Sequence, residues 1–161
     1  MKQLKDIKTI CNLGCGTMGF GTAIAFAQNG YNVNMYGRKD ASIERATKNI
    51  NFTLNVMVEN NLLKEVGAKE VLSRIHGVTT LKDAAHNADF VIESVAEELS
   101  IKQSVYKEME EYLGEDVIFA TDSSGLSPTA VAAALKHPER FVVAHFWNPP
   151  HLIPLVEVVP G

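Results

Sequence analysis

A chain of 161 residues, 46% hydrophobic and 21% charged, is long enough to bury one core and too short for two ordinary domains, so one soluble globular domain is expected. The net charge of −4, with acids and bases well mixed, excludes the basic surface that nucleic acid or an anionic membrane would need as a partner. The segment from Met1 to Ile10 is charged with no apolar stretch, and no apolar run approaches the roughly 18–20 residues of a membrane span, so neither a secretory leader nor a bilayer anchor is expected.

In chain order, Ile7–Leu13 is a short run rich in β-formers that stops at Gly14-Cys15-Gly16. A helical pattern begins near Met18, runs to about Gln28 and is ended by Asn29-Gly30, and Tyr31–Tyr36 reads as a second strand. Strand, glycine turn, helix and strand make a βαβ unit. Ser42–Asn61 carries Ile43, Ala46, Ile50, Leu54, Met57 and Val58 at helical spacing, and a second helix follows around Lys64–Arg74. This insertion is long for one crossover and is expected to form a helical pair leaning away from the sheet. Next come a strand at Ile75–Thr79, a short helix around Leu81–His86 and a buried strand at Phe90–Ser94. A helix at Ser100–Leu113 places Ile101, Val105, Met109 and Leu113 on one face. The remaining elements are a strand at Val117–Thr121, a helix at Pro128–Leu135, and strands at Phe141–His145 and Leu155–Val159. This alternation predicts a Rossmann-type, doubly wound α/β fold over residues 1–161, its mainly parallel sheet covered by helices on both faces.

The turn Gly14-Cys15-Gly16-Thr17-Met18-Gly19 has the G-x-G-x-x-G spacing, directly after a strand and before a helix. The first glycine permits the tight turn, the second lets backbone approach a pyrophosphate, and the third lets helix and strand pack closely. The free N–H groups and positive dipole end of the helix then face the phosphates. In this context the motif predicts dinucleotide binding, a packing-only glycine turn being the alternative. An NAD site usually has Asp or Glu after the second strand to hold the ribose 2′-hydroxyl. Here the position is Gly37, followed by Arg38 and Lys39, a pattern suited to a 2′-phosphate. NADP is therefore expected ahead of NAD, the alternative being that Asp40 swings in and the two cations are solvated loop charges. Cys11 and Cys15, without Cys or His companions, make a poor metal site; no metal is expected, and a reducing cytoplasm fits.

Three features cluster after residue 120. Thr121-Asp122-Ser123-Ser124-Gly125 lies at the carboxyl end of a strand, where open α/β sheets place ligands. His145 ends the next strand. Glu157 sits within the apolar run from Leu155 to Val159, where a carboxylate is costly to bury unless paired, and His145 is its natural partner. Oxidising a secondary alcohol needs a base for the hydroxyl proton, a role suited to histidine, with a carboxylate fixing its tautomer. Ser124 would hydrogen-bond the substrate oxygen. A satisfied core histidine is the alternative for His145, while His76, His86, His137 and His151 read as surface or loop residues.

With these residues in place, the chain resembles the N-terminal domain of the L-3-hydroxyacyl-CoA dehydrogenase family along essentially its whole length. The likeness is carried by the glycine turn through Phe20-Gly21, by Val91-Ile92-Glu93-Ser94-Val95-Ala96-Glu97-Glu98-Leu99, by Ile118–Ser124, by His145-Phe146-Trp147-Asn148-Pro149 and by Leu155–Val159. The resemblance implies His145 as catalytic base paired with Glu157, Ser124 at the substrate oxygen near the nicotinamide, Asn148 beside the histidine, and Glu97 and Lys102 lining the cofactor site. The chain departs from the family at Gly37, at Asp122 in place of an asparagine, and at Gly125 in place of a serine. Asn148–Glu157 also resembles relatives that oxidise small hydroxy acids, such as gulonate and carnitine dehydrogenases. The family carries a C-terminal helical domain that forms the homodimer, closes the cleft and contributes a further asparagine. The expectation is thus a truncated or split chain that binds cofactor without efficient turnover. The expected reaction is hydride transfer between a nicotinamide cofactor and a 3-hydroxyacyl-CoA in fatty-acid or butanoate metabolism. The alternatives are a small hydroxy-acid dehydrogenase, or a dinucleotide-sensing module without chemistry.

Overall fold

Short runs of apolar and β-branched residues, each ended by glycine or a polar turn, become the strands of one sheet in the computed structural model, which describes residues 3–160. The elements are β1 (Thr9–Leu13), α1 (Thr17–Gln28), β2 (Asn32–Tyr36), α2 (Asp40–Glu59), α3 (Glu65–Ser73), β3 (Ile75–Val78), α4 (Leu81–Ala85), β4 (Phe90–Glu93), α5 (Leu99–Tyr112), β5 (Ile118–Thr121), α6 (Pro128–Ala132), β6 (Phe141–Phe146) and β7 (Val156–Pro160). The order across the sheet is β3-β2-β1-β4-β5-β6-β7. The pairs from β3 through β6 are parallel, and β7 joins β6 antiparallel. This is the doubly wound fold expected from the alternation of elements.

The chain leaves β1 towards β2 and β3, then returns through β4 to fill the other side, so the order reverses between β1 and β4. Open α/β sheets bind ligands at such a switch point, beyond the carboxyl ends of the strands. Leu13 pairs with Tyr36 on one side and Glu93 on the other, so Gly14, Gly37 and Ser94 leave the sheet side by side.

Successive side chains of a strand point to opposite faces, and two core clusters result. Ile10, Val33, Met35, Ile92 and Ala120 meet Ile24 and Ala27 of α1, whereas Cys11, Leu13, Val91 and Phe119 meet Tyr106 and Met109 of α5 and Val131 of α6.

Two expectations need correction. The α2–α3 pair forms but does not lean away. Ala46, Ile50, Leu54, Met57 and Val71 belong to the same core cluster as Ile24 and Ala27, because an apolar helical stripe must be covered and α1 supplies the cover. The apolar run of β7 is also not buried: as the edge strand it leaves Val156, Val158 and Val159 exposed.

The start of β6 is anchored by Arg140, which donates to Glu110 Oε1 at 2.8 Å and to the Gly114 carbonyl at 2.6 Å, with its guanidinium 4.8 Å from the Phe119 ring centre. The α1–β1 junction is closer still, since a Cβ on Gly19 would lie 2.2 Å from the Gly14 carbonyl oxygen, while one on Gly16 would meet nothing within 4 Å. Gly19→Ala is therefore expected to cost about 1–3 kcal/mol of stability by overpacking. Gly16→Ala meets no close contact and should cost less, about 0.5–1 kcal/mol, for a poorer N-cap of α1. Urea denaturation checks both, and equal small effects would refute the close-contact account.

Candidate active site

The glycine turn is held by a residue that sequence patterns did not single out. Asn12, fully buried in β1, donates from Nδ2 to the carbonyls of Gly14 at 2.8 Å and Gly19 at 3.1 Å. The available signal was a lone amide inside an apolar strand, two residues before the first glycine. Gly14 has φ 117°, a conformation that only glycine adopts freely. Gly16 caps α1 with no side-chain hydrogen bond, and the first turn of the helix contains no acid. Exposed N–H groups, the positive dipole end and the open space at Gly16 fit a pyrophosphate.

Two adjoining clefts open along the carboxyl edge of the sheet, sharing Ser94 and Val95. The larger, about 480 Å³, is lined by Met18, Glu97, Lys102, Asp122, Ser124, His145 and Asn148, among others. The second, about 260 Å³, is lined by Gly14, Cys15, Gly16, Tyr36, Gly37, Arg38 and Ser42, among others. The sequence-derived candidates thus divide into two neighbouring groups. Thr17 and Gly19 lie in the first turn of α1, and Gly19 is buried beneath the glycine turn. Lys39 is not brought to either cleft: it is exposed and precedes α2 as its cap residue, with Asp40 starting the helix.

His145 and Glu157 are register partners across the antiparallel β6–β7 ladder, which puts both side chains on one face. His145 Nδ1 lies 2.8 Å from Glu157 Oε2. The expectation of a buried carboxylate is corrected here, since the side chain of Glu157 is 55% exposed and that of His145 only 28%. The cause is the edge position of β7. With Nδ1 engaged by a carboxylate, the hydrogen sits on Nδ1 and Nε2 is left as the acceptor. Ser124 is exposed in the same cleft, whereas its neighbour Ser123 is buried and donates to Glu97.

Behind the larger cleft lies a charged cluster that was only partly foreseen. Lys102, almost fully buried, donates to both oxygens of buried Glu93 at 2.7 and 2.9 Å and lies 3.1 Å from Glu97 Oε2. Glu93 also accepts from Val95 N at 2.6 Å and Thr121 Oγ1 at 2.7 Å. Burial pushes the Glu97 carboxyl up, but the hydrogen bonds of Ser123 and Lys102 outweigh it and hold the group below its usual range. Glu93 was visible as an acid ending the apolar run Phe90-Val91-Ile92, yet its partner stands nine positions away on α5.

Asp122 accepts from the Phe146 backbone N–H at 2.7 Å and from Ser94 Oγ at 3.4 Å, joining the carboxyl ends of β5 and β6. Burial pushes its carboxyl up to about 6, with the Phe146 N–H, His145 and Ser94 pulling the other way.

Residues 9–161 match the family described as the 3-hydroxyacyl-CoA dehydrogenase, NAD binding domain. Over 156 residues the chain is 37% identical to the 5-formyl-3-hydroxy-2-methylpyridine 4-carboxylate 5-dehydrogenase of Mesorhizobium japonicum, covering 96% of this chain and 49% of that enzyme. It is 35% identical to the 3-hydroxyadipyl-CoA dehydrogenase of Escherichia coli K12, covering 97% of this chain and 33% of the other. The crystal structure of the (S)-3-hydroxybutyryl-CoA dehydrogenase of Ralstonia eutropha superposes with a TM-score of 0.92 at 34% identity, covering 96% of this chain and 54% of that one. The chain thus spans about half, or less, of the length of these relatives.

Two substitutions test the electrostatics. Lys102→Met leaves Glu93 buried without its counter-charge and should cost about 3–5 kcal/mol in denaturant unfolding. Asp122→Asn keeps an acceptor for Phe146 N–H and removes the charge. Because the folded-state value near 6 lies above the ordinary 3.8, this carboxyl favours folding at low pH and loses that contribution as pH rises through 6. Asp122→Asn should therefore raise the melting temperature at pH 8 more than at pH 5; the reverse ordering would refute the burial account.

Proposed function

The chain belongs to the 3-hydroxyacyl-CoA dehydrogenase NAD-binding-domain family, and from that premise we propose that it supplies the cofactor site and the proton-transfer groups of an oxidoreductase acting on the 3-hydroxyl of a 3-hydroxyacyl-CoA. The observation that carries this reading is the His145–Glu157 pair at 2.8 Å, opening on a cleft that also holds Ser124 and adjoins the glycine turn. In the oxidising direction, His145 Nε2 takes the hydroxyl proton and Glu157 steadies the resulting imidazolium. Ser124 donates to the substrate oxygen and holds the carbinol against the histidine, with Asn148 beside them. When bound, the nicotinamide cofactor supplies the two-electron acceptor or donor. Glu97 and Lys102, with Met18 of α1, line the larger cleft and would hold the cofactor there.

Within the nicotinamide class, NADP ahead of NAD is the reading that the second cleft supports. Arg38 and Ser42 line it, and no carboxylate is among its lining residues. Arg38 offers a bidentate donor to a 2′-phosphate. The family resemblance further supports a homodimer, and two free thiols, Cys11 and Cys15, fit a reducing cytoplasm. Among the described residues no helix is long and apolar enough to cross a bilayer.

A second substrate reading is favoured by the likeness to the Mesorhizobium enzyme, named for a pyridine carboxylate without CoA, and by the Asn148–Glu157 segment. A purely sensory dinucleotide module would have no use for a carboxylate-paired histidine beside the cofactor.

Turnover of 3-hydroxybutyryl-CoA should exceed that of gulonate or carnitine, and faster oxidation of either acid would transfer the proposal to the second reading. His145→Gln should lower kcat by about 10²–10⁴-fold while dinucleotide binding persists; turnover unchanged in the variant would remove His145 from the chemistry. By fluorescence titration NADPH should bind more tightly than NADH, and Arg38→Asp should abolish the difference. Tighter NADH binding in the parent chain would sink the NADP preference and leave the dehydrogenase reading intact.

A further inference from the structure

Gly37 is buried at the carboxyl end of β2, its N–H donating to the Val78 carbonyl at 3.0 Å. It is not among the glycines with positive φ, so space rather than backbone strain decides what residue 37 can be. A Cβ there would lie 2.7 Å from Cys15 Sγ and 2.9 Å from Ile43 Cδ1. Both separations are well inside the roughly 3.5–4.0 Å at which non-bonded atoms rest. Cys15 and Ile43 are partly buried and packed against the core cluster on the α1 side of the sheet, so a side chain at position 37 has to displace one or both of them. Cys15 is also the second residue of the glycine turn and lines the second cleft together with Gly37, Arg38 and Ser42.

We propose that Cys15 is a specificity-determining residue of the dinucleotide site: its sulfur, with the tip of Ile43, occupies the volume a side chain at position 37 would need. A ribose-binding carboxylate there would have to displace the sulfur, which leaves the 2′ position to Arg38 and Ser42. The ligand class selected is a 2′-phosphorylated adenine dinucleotide. The inference rests on the reading of the second cleft as the adenosine-ribose site. It adds a physical coupling that the motif alone does not contain, since the variable residue of the glycine turn and the residue after the second strand compete for one volume. Installing an acid at 37 is then insufficient to recruit NAD, because the sulfur must first be removed.

Four forms of the chain test this: the parent, Cys15→Ala, Gly37→Asp and the double variant. Each is melted and titrated with NADH and NADPH. Gly37→Asp alone should melt below the parent and gain little affinity for NADH. Adding Cys15→Ala leaves the Ile43 contact in place and so should recover only part of the lost melting temperature, while tightening NADH binding by at least about tenfold over Gly37→Asp, a factor equivalent to about 1.4 kcal/mol. The two substitutions must therefore be non-additive in the cycle. If Gly37→Asp fails to fold, recovery of a folded double variant supports the coupling, and an unfolded double variant overturns it. Strict additivity, or Gly37→Asp binding NADH as tightly as the double variant, also overturns it. Failure of the underlying reading looks different. A parent chain that binds NADH more tightly than NADPH, or neither dinucleotide, removes the specificity role, even where the melting temperatures still report competition between residues 15 and 37.

Discussion

The Glu93 carboxylate, wholly buried at the end of β4, accepts hydrogen bonds from Lys102, Thr121 and the Val95 N–H, with the Tyr106 hydroxyl 3.4 Å away. An isolated carboxylate in such a place would cost several kcal/mol, so the surroundings must supply a counter-charge and donors together. Meeting that requirement sets much else in place. It draws Lys102 of α5 under the larger cleft, fixes the departure of the chain from β4 through Val95, and ties β5 to β4 through Thr121. Lys102 then reaches Glu97, which in turn receives Ser123. The hydroxyl of Ser123 being committed inward, that of Ser124 is the one exposed in the cleft.

The pairing of His145 with Glu157 depends on a different device. In a parallel sheet, strands adjacent in space are joined by long crossovers, and a direct cross-strand partner is far away in sequence. Reversing direction at β7 brings Glu157 opposite His145 after a separation of only 12 residues. Asp122 secures the same strand end by accepting from Phe146 N–H, so the position of the histidine is set from β5 as well as from β7. The carboxylate is half exposed, yet its hydrogen bond orients the His145 ring whether or not its second oxygen is wet.

Much of the fold was legible because its signals are local. Strand runs, turn glycines and helical spacing are properties of neighbouring residues, and all seven strands fell where those patterns placed them. The glycine turn, Ser124, His145 and Glu157 could be singled out from residue type and position near strand ends, and the structure sets the turn beside one cleft and Ser124 and the Glu157-paired His145 beside the adjoining one. Other features were not: Asn12 stitching the turn, the full set of partners around Glu93, and the place of Lys39 outside the two clefts. Each depends on which way a side chain leaves a backbone whose path is set by distant contacts.

By itself the amino-acid sequence determined the alternating α/β architecture, the dinucleotide turn and the residue types available for proton transfer, since periodicity, turn chemistry and residue identity are written along the chain. Only the tertiary structure decided that β7 is an exposed edge, that the α2–α3 pair is drawn onto α1, and that a sulfur at position 15 fills the space beside Gly37. Burial and steric exclusion are relations between segments far apart in sequence, and they take a value only once the sheet has assembled and its faces have been covered.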